Sequence, residues 1–236
     1  QKESTVWISD VSGENQQKLI ERDSLQYFGA PKWYLNDDKV IFAHSIYDRD
    51  DGLWLLDIPD STYRVVSNTS SYDYDTSIDG SRIVLQANPQ SGPTLIRYKN
   101  LFSDNLITLH EGTSPLFINN GSSVVFEKID GLYRSDLTGE MKKIHNKQGV
   151  GGSLSRNGKV SVSPNSQTLA YSDQEGLYIY QANRDEILFI LNSDTFLPSD
   201  MQSWSSIDID LFEITFSSDN ETVYFILKRH FFSDGC

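Results

Sequence analysis

The sequence predicts an all-β fold: a propeller of four-stranded antiparallel blades, forming one domain over residues 1–236. Three observations carry that expectation. A polar turn leading into a short apolar strand recurs along the chain. A second strand type, often opening on Gly-Leu and closing on Asp, recurs after it. Helical periodicity is nowhere sustained, while Gly, Pro, Asn, Asp and Ser punctuate the chain throughout.

The turn-strand unit appears as Asn36-Asp37-Asp38-Lys39 before Val40-Ile41-Phe42 and as Asp79-Gly80-Ser81-Arg82 before Ile83-Val84-Leu85. It returns as Asn120-Gly121-Ser122-Ser123 before Val124-Val125-Phe126, and as Asn165-Ser166-Gln167-Thr168 before Leu169-Ala170-Tyr171. The last copy is Asp219-Asn220-Glu221-Thr222 before Val223-Tyr224-Phe225. The strands start at residues 40, 83, 124, 169 and 223, in steps of 43, 41, 45 and 54. Asp-Gly, Asn-Gly and Asp-Asn pairs suit tight hairpins because these residues tolerate positive φ.

The second strand reads Gly52-Leu53-Trp54-Leu55-Leu56-Asp57, Thr94-Leu95-Ile96-Arg97-Tyr98, Gly131-Leu132-Tyr133-Arg134-Ser135-Asp136 and Gly176-Leu177-Tyr178-Ile179-Tyr180. An earlier copy, Thr5-Val6-Trp7-Ile8-Ser9-Asp10, has no turn-strand unit before it. A polar turn and another short strand follow each copy. Examples are Gln17-Lys18-Leu19-Ile20, Leu106-Ile107-Thr108-Leu109 and Met141-Lys142-Lys143-Ile144. A strand also precedes each tight turn, as Pro31-Lys32-Trp33-Tyr34-Leu35 and Glu213-Ile214-Thr215-Phe216 do.

Each unit is therefore four strands, A to D, and units of about 40–45 residues are the sequence sign of propeller blades. The chain opens on strands C and D, runs through four complete blades and ends on strands A and B. Joining the end strands closes a five-bladed ring, two strands from each terminus. The alternative is a piece of a six- or seven-bladed propeller.

The formal net charge is -13 and the isoelectric point about 4.6. Such a surface repels phosphate backbones, so direct nucleic-acid contact is not expected. A basic patch on a protein, a peptide or a cation fits the charge better, although solubility alone accounts for it too. The lone cysteine, Cys236, excludes an internal disulfide and a cysteine metal cluster. No apolar run is long enough to span a membrane as a helix. The chain opens on Gln1 without a Met, which reads as a mature fragment whose targeting segment is absent.

The units resemble the TolB-type propeller repeat, a relative of the WD-type blade. One blade carries the match in Pro31, Trp33 and Asp37-Asp38-Lys39-Val40-Ile41-Phe42. Another carries it in Ser163-Pro164-Asn165-Ser166-Gln167-Thr168-Leu169-Ala170-Tyr171. Residues 6–19 are similar to that repeat's C-strand, turn and D-strand. The resemblance covers nearly the whole chain and implies the fold. It leaves function open, because one fold hosts many functions. TolB itself is periplasmic and binds partner proteins. Membrane-tethered winged-helix regulators of the CadC and ToxR type carry an exported propeller as a sensor. Relatives of prolyl oligopeptidase use a propeller to filter substrates beside a hydrolase domain.

No catalytic template is present: no Gly-x-Ser-x-Gly elbow, no His-Glu-x-x-His and no Walker loop. His44, His110, His145 and His230 are scattered near strands and read as structural. Asp48-Arg49-Asp50-Asp51-Gly52 lacks the spacing of a calcium loop and reads as solvated loop charge beside Tyr47. Tyr72-Asp73-Tyr74-Asp75 opens a strand A, which lines the channel of a propeller, so Asp73 or Asp75 is placed to face it. Asp208 in Asp208-Ile209-Asp210 is placed likewise. Plain turn-capping carboxylates are the simpler account of both. Trp7, Trp33, Trp54 and Tyr133 follow the blade period and are expected to pack between blades. Trp204 stands outside that period, in an insertion at residues 192–210. With Phe196, Leu197 and Met201 it forms a candidate apolar patch for a partner.

The longer connections are B–C and D–A, which emerge on one face, and loops on a rigid scaffold are where binding usually lives. The expectation is a non-enzymatic domain in an exported bacterial compartment. It binds a protein or peptide through Tyr47, Asp48, Asp50, Asp51, Tyr72, Asp73, Asp75, Phe196, Met201, Trp204 and Asp208. No cofactor or metal is assigned. One concrete version is the sensor of a membrane-tethered transcription regulator. The alternative is the substrate-gating propeller of a peptidase.

Overall fold

The computed structural model describes residues 5–10, 12–21, 26–28, 31–34, 38–46, 49–68, 73–88, 91–103, 105–146, 160–172, 176–192 and 207–231. The elements they form are all β-strands, and every ladder is antiparallel. The first sheet pairs β1 (Thr5–Ile8) with β2 (Gln17–Glu21). Blade I holds β3 (Gln26–Phe28), β4 (Lys32–Tyr34), β5 (Lys39–Ile46), β6 (Arg49–Asp57) and β7 (Thr62–Ser67). Blade II holds β8 (Tyr74–Thr76), β9 (Arg82–Ala87), β10 (Leu95–Asn100) and β11 (Leu106–Glu111). Blade III holds β12 (Thr113–Ile118), β13 (Ser123–Lys128), β14 (Gly131–Asp136) and β15 (Met141–Asn146). Blade IV holds β16 (Val160–Val162), β17 (Thr168–Ser172), β18 (Gly176–Gln181) and β19 (Glu186–Asn192). The last sheet pairs β20 (Ile207–Phe216) with β21 (Val223–Phe231).

The order of half-blade, four blades and half-blade matches the sequence reading. Among the described residues no ladder joins β1–β2 to β20–β21. One strand differs from expectation. Strand A of blade I is two short pieces, β3 and β4, both paired with β5. Pro31 stands at the break, and a residue without an N–H cannot donate to the ladder there.

The tight A–B turns repeat one device. Ser77 donates to Asp79 and accepts the N–H of Arg82. Ser163 and Asn165 do the same with Thr168, and Ser217 and Asp219 with Thr222. The positive φ that closes these turns falls on Gly80, Asn120 and Gly121, Ser166 and Asn220.

A second repeat lies in the C–D ladders. Each carries a register shift at the same place: Val6/Trp7, Leu53/Trp54, Ile96/Arg97, Leu132/Tyr133 and Leu177/Tyr178. A bulge conserved through five copies fixes which side chains point to the preceding blade and which to the next.

Apolar clusters sit between blades rather than inside them. Ile41, Leu53, Leu55 and Val66 of blade I meet Tyr74, Ile83 and Leu85 of blade II. Val84 and Ile96 of blade II meet Phe117, Val124 and Phe126 of blade III. Ile118, Val125 and Leu132 of blade III meet Leu169, Tyr171, Tyr178 and Tyr180 of blade IV. Each such aliphatic or Phe side chain, fully buried, stabilises by about 1.5–3 kcal/mol relative to exposure. Trp54 and Tyr133 pack in these layers as expected. Trp7 does not: it is 55% exposed. Strand alternation sets it on the face of β1 opposite to Val6, which packs on blade I.

Candidate functional site: a cleft between two blades

The turns link up around one face. The Arg82 guanidinium donates to the Gly121 carbonyl at 2.9 Å. The Asn119 N–H donates to the Ser166 carbonyl, and the Asn165 N–H to Asn220 Oδ1 at 2.8 Å. The A–B turns of blades II to IV and of the last half-blade therefore share a face. Strand alternation puts the C–D turns with them, and the B–C and D–A connections on the opposite face.

On the A–B face a cleft of about 180 Å³ opens between blades I and II, lined by Lys39, Leu55, Asp57, Tyr63, Arg64 and Phe102. The strand ladder builds it. Lys39 and Asp57 are cross-strand partners at one end of the β5–β6 ladder, and their side chains form an ion pair. Tyr63 and Arg64 follow on β7, and Phe102 projects from the C–D turn of blade II. The Arg64 guanidinium donates to the Leu101 carbonyl at 3.3 Å, holding it at the blade boundary. The Tyr63 ring stacks on Trp54 at 4.9 Å, and Trp54 leans on His44 at 4.6 Å, so the cleft wall is backed by a column of rings. Phe102 is 76% exposed and Tyr63 53%. Ile78, on the A–B turn of blade II, is exposed on the same face. The exposed Phe102 ring, the Arg64 guanidinium and the Lys39–Asp57 ion pair, with Tyr63 at the edge, suit an apolar side chain carried on a hydrogen-bonding backbone.

The carboxylates expected at the channel are placed differently from one another. The Asp73 carbonyl accepts the Gln86 N–H at 2.9 Å, so its backbone belongs to the blade II ladder. Asp75 is a clamp. Its Oδ2 accepts the Phe117 N–H of blade III at 2.9 Å, and its Oδ1 takes the Lys32 ammonium of blade I at 3.2 Å. Lys32 also donates to the Tyr74 carbonyl at 2.7 Å. The Tyr74 hydroxyl donates to the Ile41 carbonyl at 3.0 Å. Burial pushes that phenol well above its usual range, and the Asp75 charge adds to it.

Asp50 and Asp51 fall in β6 and Asp208 in β20, where Asp208 faces His230 across the ladder. Tyr47, Asp48, Tyr72, Phe196, Met201 and Trp204 lie outside the described residues. Among the described residues no group of three or more His, Cys, Asp or Glu side chains gathers as a metal ion requires. Sequence reading missed the cleft. Its one legible signal is Phe102, a bare aromatic in an otherwise polar C–D turn.

Two histidines occupy matching positions. His110 and His145 stand opposite Ile96 and Leu132 in the C–D ladders, where Ile20 stands opposite Val6. Each lies on an aromatic of the next blade. His110 stacks on Phe126 at 5.3 Å, and His145 meets Tyr178 at 4.5 Å and Tyr171 at 5.4 Å. His110 Nε2 is 2.9 Å from Ser135 Oγ. Both rings pack against aromatics of the next blade, which fits a structural role.

This architecture defines the chain as a β-propeller, and its fold is that of the TolB-like propellers. No protein-family profile matches the chain, and no curated protein matches it. Solved structures do. TolB from Acinetobacter baumannii superposes with a TM-score of 0.56 at 17% identity, over 80% of this chain and 49% of that one. The chain thus spans about half the length of that TolB. A putative TolB from Agrobacterium tumefaciens gives 0.57 at 12% identity, over 95% of this chain and 77% of its own. Puromycin hydrolase gives 0.61 at 14% identity, over 87% of this chain and 35% of its own. At such identities the likeness is one of fold.

Proposed function

We propose that this propeller binds a protein or peptide without catalysing a reaction. The cleft carries the reading: the exposed Phe102 ring stands beside Arg64 and the Lys39–Asp57 pair, with the half-exposed Tyr63, stacked on Trp54, at its edge. Aromatic and Arg side chains clustered at a pocket are the groups that dominate recognition of polypeptides. An exported compartment is the setting that the TolB resemblance implies, and the sensor of a membrane-tethered transcription regulator is the concrete form proposed. A random peptide display selection against the full chain tests the binding role. Selected peptides are expected to lose at least about tenfold in affinity, or about 1.4 kcal/mol, toward Phe102→Ala and toward Tyr63→Ala. A selection without binders, or binders indifferent to both substitutions, overturns it.

The fold match with puromycin hydrolase favours a second reading, in which the propeller gates substrates for a peptidase. The full open reading frame separates the two. A winged helix and a membrane-spanning helix upstream support the sensor, and a downstream hydrolase domain with a Ser nucleophile supports the gate.

A further inference from the structure

The outer strands of the blades are not alike. β2, β7, β11 and β15 each interrupt their apolar residues with polar ones: Lys18 in β2, Arg64 in β7, Thr108 and His110 in β11, and Lys142 and Lys143 in β15. Such residues, lysine above all, keep an open strand edge from pairing with another chain. β19 has none of them. Between Glu186 and Asn192 it reads Ile187-Leu188-Phe189-Ile190-Leu191. Among the described residues its ladder partner is β18 alone, so its other edge is open.

The register shift makes that edge more apolar still. Phe189 and Leu191 stand opposite successive residues of β18, which leaves Ile190 between them as the extra residue of the bulge. Three consecutive side chains are exposed as a result: Leu188 by 36%, Phe189 by 52% and Ile190 by 46%. Ile187 packs inward on the cluster between blades III and IV, and the Phe189 ring lies 5.1 Å from Tyr178. The ridge is symmetric about Phe189, with one aliphatic side chain before it and one after. Its charges are not symmetric. Arg184, Asp185 and Glu186 precede the apolar run, whereas Asn192 ends the strand without charge.

We propose that a second copy of this chain docks here, β19 antiparallel to β19 about a two-fold axis at Phe189, to give a weak homodimer. That arrangement lays Leu188 of each copy on Ile190 of the other. It sets the charged end of each strand beside the uncharged end of its partner, so no like charges meet across the axis. At net charge -13 two copies repel each other, and the one outer strand without a charge in its apolar run is where that repulsion opposes contact least. A contact of one outer strand from each copy falls in the smallest class of interface, below about 1,200 Å², and so gives a reversible pair rather than a permanent one.

Sedimentation of the full chain at about 0.1 mM, with Cys236 kept reduced, tests the pairing. A monomer–dimer equilibrium is expected, and it is expected to tighten at least about threefold between about 0.05 and 0.5 M salt, as the repulsion is screened. Phe189→Lys is expected to leave a folded monomer, because a charge on the ridge blocks the edge. Ile190→Lys is expected to do the same while leaving the contact between Phe189 and Tyr178 intact, so a folding defect in the first variant does not decide the outcome. Phe102→Lys, on the opposite part of the surface chemistry, is expected to dimerise as the parent chain does. A parent chain that stays monomeric at both salt concentrations overturns the proposal. So does a dimer that survives both substitutions in β19, or one lost with Phe102→Lys instead. Growth past the dimer overturns the two-fold axis, since an isologous contact closes on itself.

Discussion

Asp75 Oδ2 accepts the backbone N–H of Phe117 at 2.9 Å, across the boundary between the inner strands of blades II and III. Its second oxygen holds Lys32 of blade I at 3.2 Å, so one carboxylate ties three successive inner strands. The two contacts are separable. Asp75→Ala leaves the Phe117 N–H without its acceptor and is expected to cost about 1.5–3 kcal/mol. Asp75→Asn keeps an acceptor and loses only a half-exposed ion pair, for about 0.2–1 kcal/mol. Urea unfolding with an unchanged slope measures both. Equal losses would mean that the charge, not the N–H, holds the strands.

The serine of each A–B turn is the next test. Ser163 Oγ accepts the Thr168 N–H at 2.9 Å and donates to Asn165 at 2.7 Å. Ser163→Ala is expected to cost about 1 kcal/mol, with a smaller loss for Ser217→Ala, whose turn is exposed. In blade II the Ser77 hydroxyl holds the Asp79 carboxyl below its usual range, with Ser81 assisting. A carboxyl depressed in the folded state stabilises above its unfolded value, near about 3.9, and loses that contribution as pH falls through the folded one. Ser77→Ala is therefore expected to flatten the acid limb of the stability curve, which unfolding followed from neutral pH down to strong acid reads directly.

These turns are why the fold was legible. Asp79-Gly80, Asn120-Gly121 and Ser163-Pro164-Asn165 announce a hairpin from four or five adjacent residues, and the spacing of such signals counts the blades. The break at Pro31 was written in the chain too, but a strand in two pieces is not distinguishable from one strand by period alone. The cleft was not legible for a different reason. Lys39, Asp57, Arg64 and Phe102 come from separate strands and two blades, and only packing brings them together. Asp75 illustrates the same limit: strand periodicity places it on the inner strand, yet not which neighbour's N–H stands opposite it.

His110 supplies a pH dependence of opposite cause. Burial against Phe126 pushes its pKa below the usual imidazole value, and Lys128 adds to the shift. The unfolded chain then binds the proton more readily than the folded one. The neutral ring stabilises above the unfolded value of about 6.5, and this is lost as pH falls through the window below it. Ile20 shows that an apolar residue serves at the matching position. His110→Ile is expected to fold and to show a shallower loss of stability between about pH 7 and 5. An unchanged slope in that window would place the titration elsewhere.

Two glycines separate backbone strain from collision. Gly139 has φ +98° and a Cβ added there meets nothing within 4 Å. Gly52 has φ +104°, and its added Cβ would lie 1.8 Å from the Ser67 carbonyl oxygen, which β7 holds in the ladder beside it. Gly139→Ala is thus expected to cost only the conformational term, about 1–2 kcal/mol. Gly52→Ala adds a clash with backbone that cannot rotate away, and is expected to exceed about 3 kcal/mol or to separate β6 from β7. Thermal midpoints of the two variants decide it: a gap of several degrees in favour of Gly139→Ala is expected. Equal midpoints would mean that the β6–β7 ladder yields at Ser67, and that the close approach of strands C and D there does not hold blade I together.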